Sequence, residues 1–335
     1  MDSTAEIQYN QFYHPVKIGS LQLEGNLFLA PVAGYSDCAF RFLCRNGGAN
    51  FAYTEMVSTE ALIRDSGKTN ILLERAPNET SYAVQIFGGN EESMAKAAQM
   101  VVERTNCEVI DINAGCPVPK IVKTGAGSSL TRDPERLYSI TKAVVEAVQV
   151  PVTVKIRSGW DDSRISFLQA AEAALNAGAQ AITLHPRTRA QGYEGKAKKE
   201  YLTQLVDFVA GRVPVFASGD IFSPDDVLQT IRQTGVDGVM FARGAMGNPF
   251  IFEETRRYLL TGEEYKTPPA ERIKAGLAEL DILAEKIGEL PACREMRKRF
   301  CAYSKGLENG AQMRSQIVSS CTKEDYRNVF AAFIS

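Results

Sequence analysis

Eight short apolar runs, each followed by room for an amphipathic helix, constrain the fold of this chain more than any other feature. They are Leu27–Pro31, Phe51–Thr54, Tyr82–Phe87, Val109–Ile112, Pro151–Ile156, Ala181–His185, Val213–Ala217 and Gly238–Ala242. Most are rich in β-branched or aromatic residues, and turn formers bound them, as expected of strands. Near-continuous apolarity suits strands that helices cover on both faces. The intervals carry helical periodicity, clearest over Ser93–Arg104, Pro134–Val148 and Ile165–Ala177. Eight β/α units in roughly 240 residues predict a closed (β/α)8 TIM barrel, an α/β fold of about 250 residues. A doubly wound sheet would carry a glycine-rich phosphate loop after its first strand, and Leu29-Ala-Pro-Val-Ala-Gly34 has no GxGxxG pattern.

Beyond Arg257 the pattern changes. Gly262 and Pro268-Pro269 break the chain, and four helices are predicted to follow, over Pro269–Gly288, Pro291–Lys305, Gly310–Ser319 and Lys323–Ile334. The expected division is a barrel domain over 1–257 and a small all-helical domain over 268–335. A unit that small buries little by itself, so it should dock on the barrel.

Composition narrows the function. No run of about 18 apolar residues occurs, so no membrane segment is expected. Met1-Asp-Ser-Thr-Ala-Glu6 lacks the basic-then-apolar opening of a secretory signal. The 7 cysteines form no CxxC pair, which argues against structural zinc or a disulfide framework and for reduced thiols in a cytoplasm. With 38 Lys and Arg against 40 Asp and Glu, the net charge makes no global case for nucleic acid. The charge is unevenly placed, however. From Tyr265 onward 12 basic residues meet 9 acidic ones, leaving 26 against 31 in the first 264. The tail is the basic part of the molecule.

In a βα barrel the chemistry sits at the C-terminal ends of the strands. The fourth run ends in Asp111-Ile-Asn-Ala-Gly-Cys-Pro117, where Pro117 stops the strand and Gly115 lets it turn just before a thiol. Cys116, three residues after Asn113, is either a small buried apolar side chain or a proton donor or nucleophile. Other strand ends supply Pro31-Val32-Ala33, Glu55-Met56, Gln85, Lys155 and Arg157, and His185 with Arg187 and Arg189. Lys155 follows apolar neighbours, and an unpaired charge in a barrel mouth costs several kcal/mol, so a ligand partner is expected for it. The turns at Ser218-Gly219-Asp220 and Arg243-Gly244 fit the phosphate site that barrels build after their last two strands. The loop from Lys120 through Lys123-Thr-Gly-Ala-Gly127 is basic and glycine-hinged, the composition of a substrate-gripping lid. It lacks the ending of a Walker motif.

In order along nearly the whole chain, these blocks resemble the tRNA-dihydrouridine synthase family, bacterial type. The matching segments are Ala30-Pro-Val-Ala-Gly-Tyr-Ser-Asp37 with Ala39-Phe-Arg41, Gln85-Ile-Phe-Gly88, Asp111-Ile-Asn-Ala-Gly-Cys-Pro117 and Gly125-Ala-Gly-Ser-Ser-Leu130. They continue with Lys155-Ile-Arg-Ser-Gly-Trp-Asp161, His185-Pro-Arg-Thr-Arg189, Tyr193-Glu-Gly195, Ala242-Arg-Gly-Ala-Met-Gly-Asn-Pro249, Arg294-Glu-Met-Arg-Lys-Arg299 and Tyr303-Ser-Lys305. The chain departs from the family pattern at Val32, Ser218, Pro186 and Ala197-Lys-Lys199.

The resemblance implies an FMN barrel, reduced by NADPH, that saturates the C5–C6 bond of a uracil in the D-loop of tRNA. It implies Cys116 as the acid that protonates C5. It places Pro31, Val32, Ala33, Gln85, Lys155 and His185 beside the flavin, and Gly219, Asp220, Arg243 and Gly244 around ribityl and phosphate. Asn113 and Arg157 would grip the uracil. Arg187, Lys120, Lys123 and the tail residues Arg294, Arg297, Lys298 and Arg299 would hold the RNA. A free thiol is mostly protonated at neutral pH, which suits an acid. A monomer is the working expectation. Two other readings remain: a flavin barrel dehydrogenase acting on a free pyrimidine, and a non-catalytic RNA-binding protein.

Overall fold

The computed structural model describes residues 9–334, and the signal-peptide expectation for Met1–Glu6 lies outside them. Eight parallel strands form the barrel: β1 (Leu27–Leu29), β2 (Phe51–Ala52), β3 (Ala83–Phe87), β4 (Val109–Ala114), β5 (Val152–Asp161), β6 (Ile182–Thr188), β7 (Val215–Ser218) and β8 (Gly238–Phe241). Neighbours pair in sequence order and β8 pairs with β1. The circle closes through β2, where Tyr53 bridges Ala83 and the short strand Val57–Ser58 pairs with β3.

Strand alternation decides what faces where. Leu27, Leu29, Ile110, Ile112, Val154, Ile156, Ile182, Leu184, Val239 and Phe241 point outward into the main core under the helices. The alternate residues point inward. At the bottom they are apolar: Phe28, Phe51, Ala83, Val109, Phe216 and Met240 form a second core, joined by Val16, Ile18 and Leu23 of an N-terminal hairpin. Towards the C-terminal end the same inward face turns polar, with Gln85, Asp111, Asn113, Thr153, Lys155, Arg157, Thr183, His185, Arg187 and Ser218. A packed apolar floor under a polar mouth is the result.

The outer helices are α1 (Cys38–Asn46), α2 (Thr59–Ile63), α3 (Glu91–Thr105), α4 (Pro134–Ala147), α5 (Phe167–Asn176), α6 (Glu200–Val209), α7 (Pro224–Thr234) and α8 (Ile251–Thr261); a further short helix, Gly67–Leu73, follows α2. Helix α8 runs past Arg257, and Gly262 caps it. Four helices follow: α9 (Pro269–Ile287), α10 (Glu289–Tyr303), α11 (Gly310–Ser319) and α12 (Lys323–Val329), with a last turn at Ala331–Ile334. Their core of Ile273, Leu280, Met296, Phe300, Tyr303 and Tyr326 takes in Ala39 of α1, so this unit is packed on the barrel.

An ionic cluster pins the two parts together. Arg299, with 3% of its side chain exposed, pairs with Asp37 at the start of α1 and with buried Glu279 of α9, and Tyr303 donates to Glu279 at 2.8 Å. Asp37 also caps α1 by accepting from the Phe40 N–H at 3.0 Å. Among the described residues no helix is long and apolar enough to cross a membrane, and no three His, Cys, Asp or Glu side chains gather in a metal-like group.

Candidate active site

A cavity of about 440 Å³ opens at the C-terminal end of the barrel. Its walls include Pro31, Val32, Ala33, Gln85, Asn113, Cys116, Lys155, Arg157, His185, Gly219, Asp220 and Arg243. Residues from all eight strand ends therefore converge, as the barrel geometry dictates. Tyr35, Met56, Tyr193 and Met246, from the strand ends and segments quoted above, also line it, as does Phe222, which the sequence reading did not name.

The floor is ordered by one carboxylate. Asp111, fully buried, accepts from Thr153 Oγ1 at 2.6 Å and from Gln85 Nε2 at 2.6 Å. Burial pushes its pKa from 3.8 up to about 6, against the opposing pull of those two hydrogen bonds and of Lys155. An ionised carboxylate only accepts, so Gln85 must present its NH2 to it and turn its carbonyl away. That carbonyl accepts from Asn113 Nδ2 at 2.8 Å, which fixes the second amide in turn. Asn113 Oδ1 then accepts from the backbone N–H groups of Gly115 at 3.1 Å and Cys116 at 2.9 Å. A chain of fixed dipoles thus runs from Asp111 to the backbone of the thiol.

Cys116 is 9% exposed, and burial raises its pKa above the usual thiol value, outweighing the backbone N–H of Val118 and the nearby Arg157 and Lys155. The sulfur is a neutral thiol at neutral pH. The lid closes tightly behind it. A Cβ on Gly127, at φ +61°, would stand 2.7 Å from the Cys116 carbonyl oxygen and 3.1 Å from its Cβ, so only glycine fits there.

Lys155 and Arg157 sit two residues apart on the inward face of β5. Lys155 has no hydrogen bond or ion pair among the described residues, and burial and then Arg157 push its pKa from 10.5 down to about 8. Arg157, 3% exposed, uses Nη1 to hold the backbone carbonyls of Thr188 and Gly192 at 2.9 and 2.8 Å. That braces the loop carrying Tyr193, whose ring lies 5.6 Å from the guanidinium carbon.

On the neighbouring strand β6, where it pairs in register with Arg157, His185 is held neutral. Burial and then Lys155, Arg157, Arg187 and Arg243 lower its pKa well below 6.5. Arg187 Nη1 donates to Nε2 at 3.3 Å, so the imidazole proton is on Nδ1. Gly219, at φ +107°, presses against this ring, because a Cβ there would stand 2.6 Å from Cδ2. Asp220 accepts from Arg187 at 2.7 Å, Arg243 at 3.1 Å and the Ala197 N–H at 2.8 Å. Burial opposes its charge, but these donors win and hold the carboxyl below the usual range. Arg243 also stacks 5.1 Å from both Tyr193 and Phe222 at the rim.

The structure does not gather every expected residue. Gly244 is outside the cavity wall, and its ideal Cβ position is 2.4 Å from the Ile221 carbonyl oxygen, a packing contact. Arg187, expected on RNA, is 2% exposed and bound to Asp220, Glu194 O and Gly195 O. It positions His185 and Asp220 and is not a surface cation. Arg299 is likewise internal, committed to Asp37 and Glu279. Arg297 is half-buried and holds the Ser320 carbonyl at 3.1 Å. Lys120, Lys123, Arg294 and Lys298 are exposed, as a polyanion would require.

Comparison with known proteins shows the family. The model of the family described as "Dihydrouridine synthase (Dus)" matches residues 28–334. The chain is 50% identical over 332 residues to "Probable tRNA-dihydrouridine synthase" of Treponema pallidum (strain Nichols), covering 96% of this chain and 97% of that one. It is 39% identical over 302 residues to "tRNA-dihydrouridine synthase B" of Pseudomonas putida, covering 90% and 89%. Among solved structures it resembles histamine dehydrogenase from Rhizobium sp. 4-9 (TM-score 0.56, 14% identity) and 6-hydroxypseudooxynicotine amine oxidase from Pseudomonas geniculata N1 (TM-score 0.59, 15% identity). These last two share the fold alone: the match covers 82% and 81% of this chain and about half of each of theirs, 51% and 53%. The chain belongs to the dihydrouridine synthase family of oxidoreductases.

Proposed function

We propose that this protein is a cytoplasmic tRNA-dihydrouridine synthase that uses FMN and NADPH to reduce the C5–C6 bond of uridines in the D-loop. The observation that carries the reading is the pairing of a neutral thiol at Cys116 with a cavity floor that offers donors. Lys155 stands unpartnered, and Gln85 and Asn113 each commit only one N–H to another amide or carboxylate. A floor of this kind fits the acceptor-rich pyrimidine edge of a flavin, and the Gly219–His185 contact leaves a flat, narrow wall beside it. Pro31, Val32, Ala33, Gln85, Lys155 and His185 would hold the ring system, and Gly219, Asp220 and Arg243 the ribityl phosphate. When bound, FMN, re-reduced by NADPH, supplies hydride to C6 of the uracil.

The protein's own residues do the rest. Cys116 holds the proton destined for C5; the thiolate left behind is reprotonated from solvent. Asn113 fixes the backbone of that cysteine through Oδ1, and its second amide proton, held only by the weak acceptor Met56 Sδ at 3.6 Å, would turn to a uracil carbonyl. Arg157 steadies the Tyr193 loop at the mouth. The target base must leave its stack at a cost of a few kcal/mol to enter a cavity this deep. Exposed Lys120, Lys123, Arg294 and Lys298 supply the salt-dependent hold on the RNA backbone.

The test is to map dihydrouridine in tRNA from cells with and without this protein. Loss of the modification at one or more D-loop positions is expected. Unchanged tRNA in the deletion strain, or equal turnover of free uracil and tRNA by the purified protein, would refute the proposal.

A further inference from the structure

One pair of arginines on the barrel rim is left without a role by the site described above. Trp160, the 1 tryptophan of the chain, lies where β5 continues past the barrel. The guanidinium carbons of Arg132 and Arg189 both stand over its indole, 4.2 and 4.7 Å from the ring centroid. Arg132 ends the short helix Ser128–Arg132 that closes the lid. Arg189 follows β6, tied to β5 by its backbone N–H on the Gly159 carbonyl at 2.8 Å. Among the described residues neither guanidinium has a carboxylate within the 4.0 Å of an ion pair, and Arg189 Nε is buried with no partner at all. An aromatic ring attracts each cation but does not neutralise the two like charges held against it. What completes such a pair is an anion, and planar guanidinium forks match a phosphate best.

The surroundings say which anion. Arg132 also lines a cleft of about 650 Å³ with Lys123 and Arg136, neither of which is ion-paired. Two acids line it as well: Asp133 caps α4 by accepting from the Arg136 N–H at 3.2 Å, and Glu135 lies beside it. Cations therefore continue from Arg189 through Arg132 to the lid, a run that suits a polyanion. The strand order places β4 to β6, which carry this run, across the mouth from β8 and β1. The helical domain docks at β1 through α1, with Lys298 5.3 Å from the Tyr35 ring at the cavity edge.

We infer that Arg132, Trp160 and Arg189 form a phosphodiester-binding site for the substrate RNA, facing the helical domain across the cavity. The inference rests on the tRNA reading above. An RNA strand held on both sides of the mouth has its target nucleotide fixed over Cys116, which neither side achieves alone. The rival source of the same chemistry is the 2′-phosphate of NADPH.

Arg132 is exposed, so its substitution should leave the fold intact, and equal flavin content per chain checks that. The experiment measures tRNA affinity against salt, and the KM for NADPH, in the flavin-loaded parent, Arg132→Gln and Arg132→Lys. Arg132→Gln should weaken tRNA binding about five- to tenfold near physiological salt and reduce the slope of log K against log salt by roughly 0.7–0.9. Arg132→Lys should keep the slope, and the KM for NADPH should not move. An unchanged affinity and slope in Arg132→Gln, with the parent binding tRNA, would overturn the site. A raised KM for NADPH with intact tRNA binding would also overturn it, assigning the phosphate to the dinucleotide. A parent that binds no tRNA would instead overturn the substrate reading itself.

Discussion

Replacing Lys155 by methionine should make the flavin-free protein more stable, the reverse of what most substitutions in a protein interior do. The ammonium stands on the cavity floor without an ion-pair partner, and burial, then the neighbouring Arg157, take its pKa from 10.5 down to about 8. Each unit is worth about 1.36 kcal/mol, so holding the charged form costs the folded chain about 3.4 kcal/mol at most. Partial solvent access reduces that to on the order of 2 kcal/mol. The sign with pH follows from proton counting. Below pH 8 the lysine is protonated in both states and the whole penalty is present. Between about 8 and 10.5 the unfolded chain still binds the proton and the folded chain does not, so the parent gains stability as pH rises. Methionine has similar length and no charge, so its advantage is full at pH 7 and fades by pH 10. Urea denaturation of flavin-stripped parent and Lys155→Met at pH 7 and pH 9.5 measures this. The same variant should bind FMN at least tenfold more weakly, because the floor loses its strongest donor. A variant less stable than the parent at pH 7, or a gain that does not change with pH, would refute the reasoning.

Gly219→Ala forces a left-handed φ of +107° on a residue with a Cβ and drives that Cβ into His185, so a loss of about 1–3 kcal/mol with flavin-depleted preparations is expected. Thermal melts and the visible absorbance per chain read both effects. Arg299→Gln leaves Asp37 and Glu279 without their shared cation and should cost about 3–5 kcal/mol. Limited proteolysis should then cut first between 262 and 268, releasing the helical domain. Asp111, pushed up to about 6, takes a proton as pH falls and stops orienting Gln85, while Lys155 loses its charge above about 8. Affinity for riboflavin, which has no phosphate of its own to titrate, should therefore fall on both sides of that window, and Asp111→Asn should abolish the acid limb.

The barrel was legible because each strand announces itself. Turn residues bound every apolar run, and the observed strands fall within two residues of the expected ones at six of the eight; the sixth runs three residues further than expected, to Thr188. The fifth overran: β5 was expected to end at Ile156 and continues to Asp161, because Arg157, Ser158 and Gly159 interrupt the apolar run while pairing of Gly159 with Ile165 and of Asp161 with Arg164 carries the strand on. The barrel domain was expected to end at Arg257, four residues before the end of α8. The signal was present in Gly262, a helix-terminating glycine.

The site was legible as a set of strand ends but not as a network. Asp111 lay in plain view inside an apolar strand, and its parity with Asn113 already put both on one face. What the sequence could not show is register: Gln85 lies beside Asp111 in the parallel pairing of β3 and β4, and that alone makes the carboxylate the organiser of both amides. The arginines of the tail were misjudged for a simpler reason. Counting charge ignores helical phase, and Arg299 shares a face with Ala292, Met296 and Tyr303, all buried. Arg294 and Lys298 lie on the other side and stay in solvent.

The central claim is that Cys116 gives a proton to the uracil. The most direct measurement is dihydrouridine formed per tRNA by flavin-loaded Cys116→Ala and by the parent, with NADPH oxidation in the absence of tRNA followed alongside. The account predicts that the variant keeps its flavin and its NADPH oxidation and forms almost no dihydrouridine. Dihydrouridine formation by Cys116→Ala at the parent's rate would contradict it.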